Sequence, residues 1–206
     1  MAIDDNRYGR AIETRRLLIE PLQIAHVPEL FALLKDPKIY TFIPEEPPVS
    51  EDSLRARCER LIRGPGSDAD QRWFNWTLRT KANRAVVGTV QATIETIPQR
   101  VLVAYIVGPE FWGQGFGSEG LDAVLGWLLA DPSIKAVNAL VDTRNMRSIR
   151  LLEKRGFVVA ETITGAAFFK GARSDEFRFR LSQSQMNVYR SRSRGRAGRS
   201  IGATTP

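Results

Sequence analysis

Three alternate glycines, Gly113, Gly115 and Gly117, stand between an apolar segment that ends at Val107 and a segment with helical periodicity. Alternate glycines let the backbone bend without Cβ clashes and turn successive N–H groups toward one side. The helix that begins next adds its dipole and its unpaired N-terminal amides. A diphosphate is the natural ligand of such a loop. The alternative is a tight strand-to-helix turn without a ligand, although three alternate glycines exceed what an ordinary turn requires.

Two other phosphate-binding motifs compete for this loop. Residues 115–120 read Gly-Phe-Gly-Ser-Glu-Gly, which matches G-x-G-x-x-G, and Asp142 ends the next predicted strand, as in dinucleotide-binding oxidoreductases. More than a hundred residues precede the loop, however, and only about one crossover follows it, which is too little for a doubly wound fold. No Gly-Lys-Ser/Thr follows the glycines, so a Walker loop is excluded. An oxidoreductase that uses Gly115, Gly117 and Gly120 stays open as an alternative.

A second motif follows the first after a further strand. Residues 145–157 read Asn-Met-Arg-Ser-Ile-Arg-Leu-Leu-Glu-Lys-Arg-Gly-Phe, a short helix closed by Gly156 before a return strand. Together the two motifs resemble the acyl-CoA-binding core of the GNAT N-acetyltransferases, whose loop reads Gln/Arg-x-x-Gly-x-Gly/Ala. Trp112 fills the Gln/Arg position, which is similar to the branch of ribosomal-protein N-terminal (Rim-type) acetyltransferases. Residues 14–21 resemble the opening strand of that branch, so the resemblance spans roughly residues 13–182.

The resemblance implies acetyl-CoA as co-substrate and assigns roles to three places. Backbone N–H groups at the end of the strand before the loop would hold the thioester carbonyl and the pantetheine arm. Asn145 would bind the same arm, and the loop with the first helical turn would hold the diphosphate. The residues assigned to the cofactor in this way are Tyr105, Ile106, Val107, Gly113, Gln114, Gly115, Phe116, Gly117, Ser118 and Asn145.

Acyl transfer needs a neutral amine, a polarised thioester carbonyl and a proton for the leaving thiolate. Many members of the resembled family supply that proton from a tyrosine four residues after the Ser/Ala position, where this chain has Leu152. Ser148 lies one helical turn earlier on the same face, so it is the candidate acid, with a purely structural helix serine as the alternative. Glu45 and Glu46 lie in a proline loop that lines the acceptor side in the family, so they are candidate substrate-binding residues. The alternative is that both are exposed loop acids.

Periodicity along the chain predicts one mixed α/β domain over residues 1–186. The predicted strands are 15–20, 73–78, 86–94, 101–107, 136–141, 157–160 and 176–181, and the helices lie at 24–35, from 50, across 121–129 and at 145–154. The three strands before the glycine loop predict an antiparallel meander, and the helix after it predicts a parallel crossover. The resemblance implies a GNAT fold, a mostly antiparallel central sheet that splays at its fourth and fifth strands between flanking helices.

Composition limits the partners of the protein. The net charge of +7 includes five arginines in residues 187–206, so the preceding residues carry only +2. That Arg/Ser/Gly-rich tail is predicted to be disordered, and it could touch nucleic acid or acidic surfaces electrostatically. His26 and Cys58 are the single members of their types, which argues against a metal site and excludes an internal disulfide. We expect a cytoplasmic protein without membrane contact, a monomer or homodimer, with a non-catalytic acyl-CoA-binding protein as a further alternative.

Overall fold

The computed structural model describes residues 8–66, 70–96 and 99–185. The predicted tail of residues 187–206 lies outside these ranges, so its predicted disorder stays a prediction. The strands are β1 Ile12–Glu13, β2 Leu17–Pro21, β3 Gln71–Thr80, β4 Val86–Thr96, β5 Gln99–Val107, β6 Ala136–Asp142, β7 Val158–Phe169 and β8 Ala172–Ser182. The helices are α1 Val27–Leu34, α2 Glu51–Arg63, α3 Phe116–Leu128 and α4 Met146–Glu153, with 3-10 turns at Ile24–His26, Pro37–Phe42 and Pro109–Phe111.

Local sequence signals account for the helix positions. Ser50 caps α2 and exchanges hydrogen bonds with Ser53, and Gly64 ends that helix with a φ of 81°. The predicted apolar stripe of α3 is buried at Leu121, Val124, Leu125 and Leu128. Because those residues recur at helical spacing, one side of α3 packs on the sheet while the other stays polar.

The eight strands form a single sheet in the order β1-β2-β3-β4-β5-β6-β8-β7. Helices α3 and α4 cover the face that carries Phe74, Trp76 and Leu78, which we call the first face. Helices α1 and α2 form a second apolar cluster on the opposite, second face, where Val86 and Ile106 join them. The fold is therefore the predicted mixed α+β architecture, a mostly antiparallel sheet between helices.

The sheet splays between β5 and β6. These two strands are parallel, as the crossover predicted, but they pair only at Val101 with Val137 and at Leu102 with Asn138. The Asn138 side-chain amide donates to the Val101 carbonyl at 3.1 Å and closes the apex. Beyond this point the C-terminal half of β5 has no ladder partner on that side within the described sheet. A wedge-shaped slot between β5 and β6 results.

The last two strands are longer than predicted. The sequence predicts residues 157–160 and 176–181, whereas β7 and β8 form a hairpin over Val158–Phe169 and Ala172–Ser182. Most side chains of β7 are exposed, so the strand lacks the apolar alternation that sequence patterns depend on. The first predicted helix is also split, since it starts as a 3-10 turn at Ile24–His26 before α1. In the described ranges no helix has the length and apolar character to cross a membrane.

Candidate active site

The glycine loop connects the open end of β5 to α3. Gly113 and Gly115 adopt positive φ values of 77° and 82°, which L-residues with a Cβ rarely adopt. Gly115 is the N-cap of α3, so the N–H groups of Phe116, Gly117 and Ser118 lie in the first turn, where no intrahelical acceptor exists. These amides and the helix dipole suit an anion such as the predicted diphosphate, whose binding here stays a prediction.

Two other glycines serve packing. A Cβ on Gly117 would lie 2.9 Å from Val107 Cγ2, so only glycine lets α3 start this close to β5. A Cβ on Gly120 would lie 2.8 Å from Leu78 Cδ1, a contact between α3 and β3. The last glycine of the apparent G-x-G-x-x-G is thus explained by helix–sheet contact. The described sheet also holds a single parallel pair, so the dinucleotide alternative lacks its βαβαβ scaffold.

Arg16, from the segment before β2, braces the loop. Its Nε donates to Glu119 Oε2 at 2.6 Å and its Nη1 donates to the Gln114 carbonyl at 2.8 Å. Thr14 Oγ1 adds a hydrogen bond to Glu119 Oε1 at 2.6 Å. Burial alone would raise the pKa of Glu119, but the bonds from Thr14 and Arg16 outweigh it and lower that pKa. The acid in the first turn of α3 is thereby neutralised beside the site where a diphosphate would bind.

Trp112 ties the loop to β5 and α4. Its indole Nε1 donates to the Val107 carbonyl at 2.7 Å. The guanidinium of Arg147, on α4, lies 3.9 Å from the centre of the Trp112 ring. The aromatic residue at the family's Gln/Arg position therefore acts as a clamp between the strand end and the helix. The Gln114 side chain also braces the loop, since its Nε2 donates to the Glu110 carbonyl at 2.8 Å.

The backbone of β5 presents donors to the slot. The Gly108 N–H bonds back to the Val87 carbonyl of β4. Because N–H groups alternate along a strand, that bond directs the Ile106 N–H toward β4 and those of Tyr105 and Val107 toward the slot. Of the three strand residues assigned to the cofactor, Tyr105 and Val107 therefore offer N–H donors there. The Ile106 side chain faces the second face.

A pair of hydroxyl groups lies beside the slot on the first face. Tyr105 Oη and Ser148 Oγ lie 2.7 Å apart, although 43 residues separate them in sequence. Burial raises the pKa of the Tyr105 phenol above its usual value, while the hydrogen bond to Ser148 opposes that rise. The sequence prediction missed this partnership, having assigned Tyr105 to the cofactor through its backbone only. The alternation of β5 was the available signal, since Val101 and Val103 precede Tyr105 on the same face.

The start of α4 positions Ser148. Asn145 caps the helix, and its Oδ1 accepts the Ser148 N–H at 3.1 Å. This cap uses the side-chain oxygen of Asn145, so its amide N–H groups are the part that can hold a pantetheine arm. Leu152, at the position where the resemblance implies a tyrosine in many proteins, is fully buried in the core. This position therefore supplies no hydroxyl group, and the hydroxyl groups described beside the slot are those of Ser148 and Tyr105.

The acids predicted to bind substrate border the second face. Glu45 and Glu46 are exposed in the loop between α1 and α2. Lys170, at the turn between β7 and β8, approaches Glu46 Oε1 at 3.8 Å and donates to the Tyr40 and Ile43 carbonyls. The hairpin thus reaches across to hold this loop.

An apolar cavity lies under α1 and α2 on the second face. It is small, with a volume of about 40 Å³, and Ile106 of β5 contributes to its wall. Polar groups in the lining come from Tyr40, Arg57, Asn75, Thr89 and Gln91. The cavity is therefore next to the slot and on the face opposite to the hydroxyl pair.

A glycine loop at the end of a splayed strand, with a hydroxyl pair at the slot, defines the chain as an acyl-CoA-dependent transferase. A family model described as an acetyltransferase (GNAT) domain matches residues 16–158, well over half of the chain. The chain belongs to this GNAT acetyltransferase family, and its co-substrate is acetyl-CoA.

Three known proteins illustrate the relationship. The uncharacterized N-acetyltransferase YoaA of Bacillus subtilis (strain 168) is 22% identical over 147 residues, which cover 71% of this chain and 81% of YoaA. An acetyl transferase from Salmonella typhimurium that modifies the N-terminal serine of ribosomal protein L7/L12 shares the fold with a TM-score of 0.72 and 18% identity, over 84% of this chain and 99% of that chain. Spermidine N-acetyltransferase from Vibrio cholerae, solved with CoA and spermine, has a TM-score of 0.72 and 22% identity over 84% and 99% of the two chains.

Proposed function

We propose that this protein moves the acetyl group of acetyl-CoA to a primary amine by direct attack, with Ser148 protonating the leaving thiolate. The hydrogen-bonded pair of Ser148 and Tyr105 hydroxyls is the observation that carries the proposal. It lies at the slot where β5 loses its ladder partner, so unpaired backbone donors and a proton source meet at one place.

The cofactor is assigned to the first-face side of the slot. The diphosphate binds the glycine loop and the amides of residues 116–118, where Arg16 has already neutralised Glu119. The N–H groups of Tyr105 and Val107 hold the thioester carbonyl and the pantetheine arm, and Asn145 holds the same arm. The carbonyl is thereby polarised by fixed dipoles that need no rearrangement during attack.

The acceptor approaches from the second face. That face carries the apolar cavity beside Ile106 and the loop with Glu45 and Glu46. The acceptor is a protein N-terminus or a small-molecule amine. One protein of the same fold modifies the N-terminal serine of a ribosomal protein, and another is a spermidine N-acetyltransferase. These two relatives support the two acceptor classes, protein N-termini and small-molecule amines. The exposed carboxylates would favour a cationic acceptor over an acidic one.

Proton transfer to sulfur uses the hydroxyl pair in sequence. As the C–S bond breaks, Ser148 gives its proton to the thiolate and Tyr105 restores it across their 2.7 Å hydrogen bond. A serine anion is much less stable than a phenolate, so Ser148 can serve only if Tyr105 replaces the proton at once. Because the thioester is already activated, holding the amine at attack distance supplies much of the remaining rate.

Ligand binding and turnover test the proposal together. Acetyl-CoA at a hundredfold excess over its Kd should stabilise the fold by about 2.7 kcal/mol, a rise in Tm of roughly 5–10 °C. Thiol release should then depend on an added amine, with serine-initiated peptides and polyamines as the first panel. Binding without turnover on any amine would favour the non-catalytic alternative, and stabilisation by NAD(P) alone would favour the oxidoreductase.

Cellular setting follows from the same chemistry. A single, buried cysteine fits a reducing compartment, which supports a cytoplasmic location. The basic tail is assigned a weak electrostatic contact with nucleic acid or an acidic acceptor, sensitive to salt. A monomer or a homodimer is compatible with a site built entirely from one chain.

A further inference from the structure

Glu176 stands beside the slot on its open side. In β8 it pairs directly with Asp142, the last residue of β6, and on its other flank it pairs with Ile163 of β7. Residues directly opposite each other in antiparallel strands point to the same face. Leu140 and Arg178 share that face by the same register, and Leu140 is 42% exposed. The second face is therefore open to solvent around Glu176, on the side from which the acceptor is proposed to arrive.

The neighbouring carboxylate, that of Asp142, already has its hydrogen-bond donors. Asp142 accepts hydrogen bonds from the Arg144 backbone N–H at 2.8 Å, from Arg144 Nε at 2.9 Å and Nη2 at 2.6 Å, and from Ser174 Oγ at 2.6 Å. Burial alone would raise its pKa, but these bonds outweigh it and lower the Asp142 pKa to about 2. Asp142 therefore remains an anion that is committed to holding the turn before α4.

Glu176 has no such partners. No hydrogen bond or ion pair reaches its carboxylate from the described residues. Arg144 binds Asp142, and Arg178 binds Glu161 at 2.5 Å, so each nearby cation already has its own acid. Burial, followed by repulsion from Asp142, raises the Glu176 pKa. An ammonium group would suit this half-buried carboxylate, because it would supply both the missing positive charge and the missing hydrogen-bond donors.

We propose that the ammonium group of the acceptor binds Glu176 and that this carboxylate takes the proton that frees the amine for attack. The inference rests on the proposed acetyl transfer and names the part of the site that selects a cation. Adjacent strands lie about 4.8 Å apart, so a side chain on β8 reaches the β6 wall of the slot. Amines carrying a positive charge are therefore the substrate class, and anilines or amides are excluded.

Protons and electron pairs balance over the proposed acetyl transfer. Glu176 accepts one proton from the ammonium, and the amine lone pair then forms the C–N bond at the thioester carbonyl. The C–S bond breaks with its electron pair going to sulfur, which receives a proton from the Ser148–Tyr105 pair. The attacking nitrogen loses its second proton, which restores that pair by way of solvent. One proton is released from Glu176 to solvent in each cycle.

Glu176→Gln keeps the shape of the side chain and removes its charge. With a polyamine or peptide acceptor that the wild-type protein acetylates, KM for the amine should rise at least tenfold, while KM for acetyl-CoA stays within twofold. The kcat/KM of the wild-type protein for the amine should fall as the pH drops through the raised pKa of Glu176, and the variant should lose that acid limb. Because an ionised Glu176 is unfavourable in the folded state, the variant's Tm should equal or exceed that of the wild type.

Glu59→Gln is the control for the loss of one carboxylate charge, since Glu59 is an exposed acid on α2 and neither Arg144 nor Arg178 pairs with it. It should leave the amine KM and the pH profile unchanged. An unchanged acid limb and amine KM in Glu176→Gln would overturn the inference, as would equal effects in both variants. Wild-type protein without turnover on any amine would refute the proposed function instead, so the two failures are distinguishable. A lower Tm in Glu176→Gln would indicate a structural role.

Discussion

Tyr105→Phe tests whether the hydroxyl pair acts as one unit. The substitution removes a single oxygen and keeps the ring between β5 and α4, so packing on the first face is conserved. What disappears is the 2.7 Å hydrogen bond to Ser148. The partner variant, Ser148→Ala, removes the other end of the same bond.

The size of the effect distinguishes two roles for Tyr105. If the phenol only orients Ser148, its removal costs one neutral hydrogen bond, about 0.5–1.5 kcal/mol, which is a fall in kcat of roughly 2–13-fold. If it restores the proton, acid catalysis is lost and kcat falls by about 10²-fold or more. We expect the larger effect in Tyr105→Phe and in Ser148→Ala, and no further loss in the double variant, because groups that act as a unit are not additive.

Thiol release at saturating acetyl-CoA and amine measures these rates. The Kd for acetyl-CoA, measured by calorimetry, should stay unchanged in all three proteins, since the cofactor is held by backbone donors and the loop. The raised pKa keeps Tyr105 protonated beyond pH 10, so this donor should cause no alkaline fall in kcat below that pH.

Three outcomes would refute the reasoning in different ways. A 10²-fold loss in Ser148→Ala with only a small loss in Tyr105→Phe would reduce Tyr105 to an orienting role. Multiplied losses in the double variant would show that the two hydroxyls act independently. Unchanged kcat in both single variants would identify bulk water as the proton source.

Three further predictions concern the loop and the tail. Gly115→Asp should abolish acetyl-CoA binding in calorimetry, because it puts a carboxylate in the diphosphate site. Gly64→Asp is the control for backbone strain, since Gly64 has a similar positive φ at an open position, and this variant should bind acetyl-CoA normally. Arg16→Ala should weaken acetyl-CoA binding about tenfold by freeing the charge of Glu119, and adding Glu119→Gln should restore it; a double variant that stays weak would contradict the neutralising role. Deleting residues 191–206 should leave Tm and acetyl-CoA affinity unchanged and lower the rate with an acidic acceptor only at low salt, since exposed charges are screened over about 10 Å near 0.1 M; a large loss of Tm would show that the tail packs on the domain.

Sequence patterns within single helices and strands, or between neighbouring ones, were sufficient to predict much of the fold. The apolar stripe of α3, the meander before the loop and the parallel crossover are local patterns, and each is present in the structure. The family assignment is confirmed by the match over residues 16–158. The roles of the individual site residues stay predictions.

Contacts between segments that are distant in the sequence could not be predicted from it. Arg16 and Glu119 are 103 residues apart, and no periodicity indicates that an arginine before β2 would meet the first turn of α3. The same holds for Tyr105 and Ser148, whose pairing depends on how α4 crosses the end of β5. Glu176 could not be found either, because its place opposite Asp142 depends on the pairing of β8 with β6, two strands that α4 and β7 separate in the sequence.

Lys170 links two distant parts of the proposed acceptor side. Its ammonium holds the carbonyls of Tyr40 and Ile43, so the hairpin turn and the loop with Glu46 cannot shift separately without breaking those bonds. If the hairpin turn alone were grafted onto a relative, Lys170 would lose its acceptors. If the loop alone were grafted, the carbonyls of Tyr40 and Ile43 would lose their donor. On the proposed acceptor side, we therefore expect a change of acceptor preference to require that residues 37–46 and the β7–β8 turn be exchanged together.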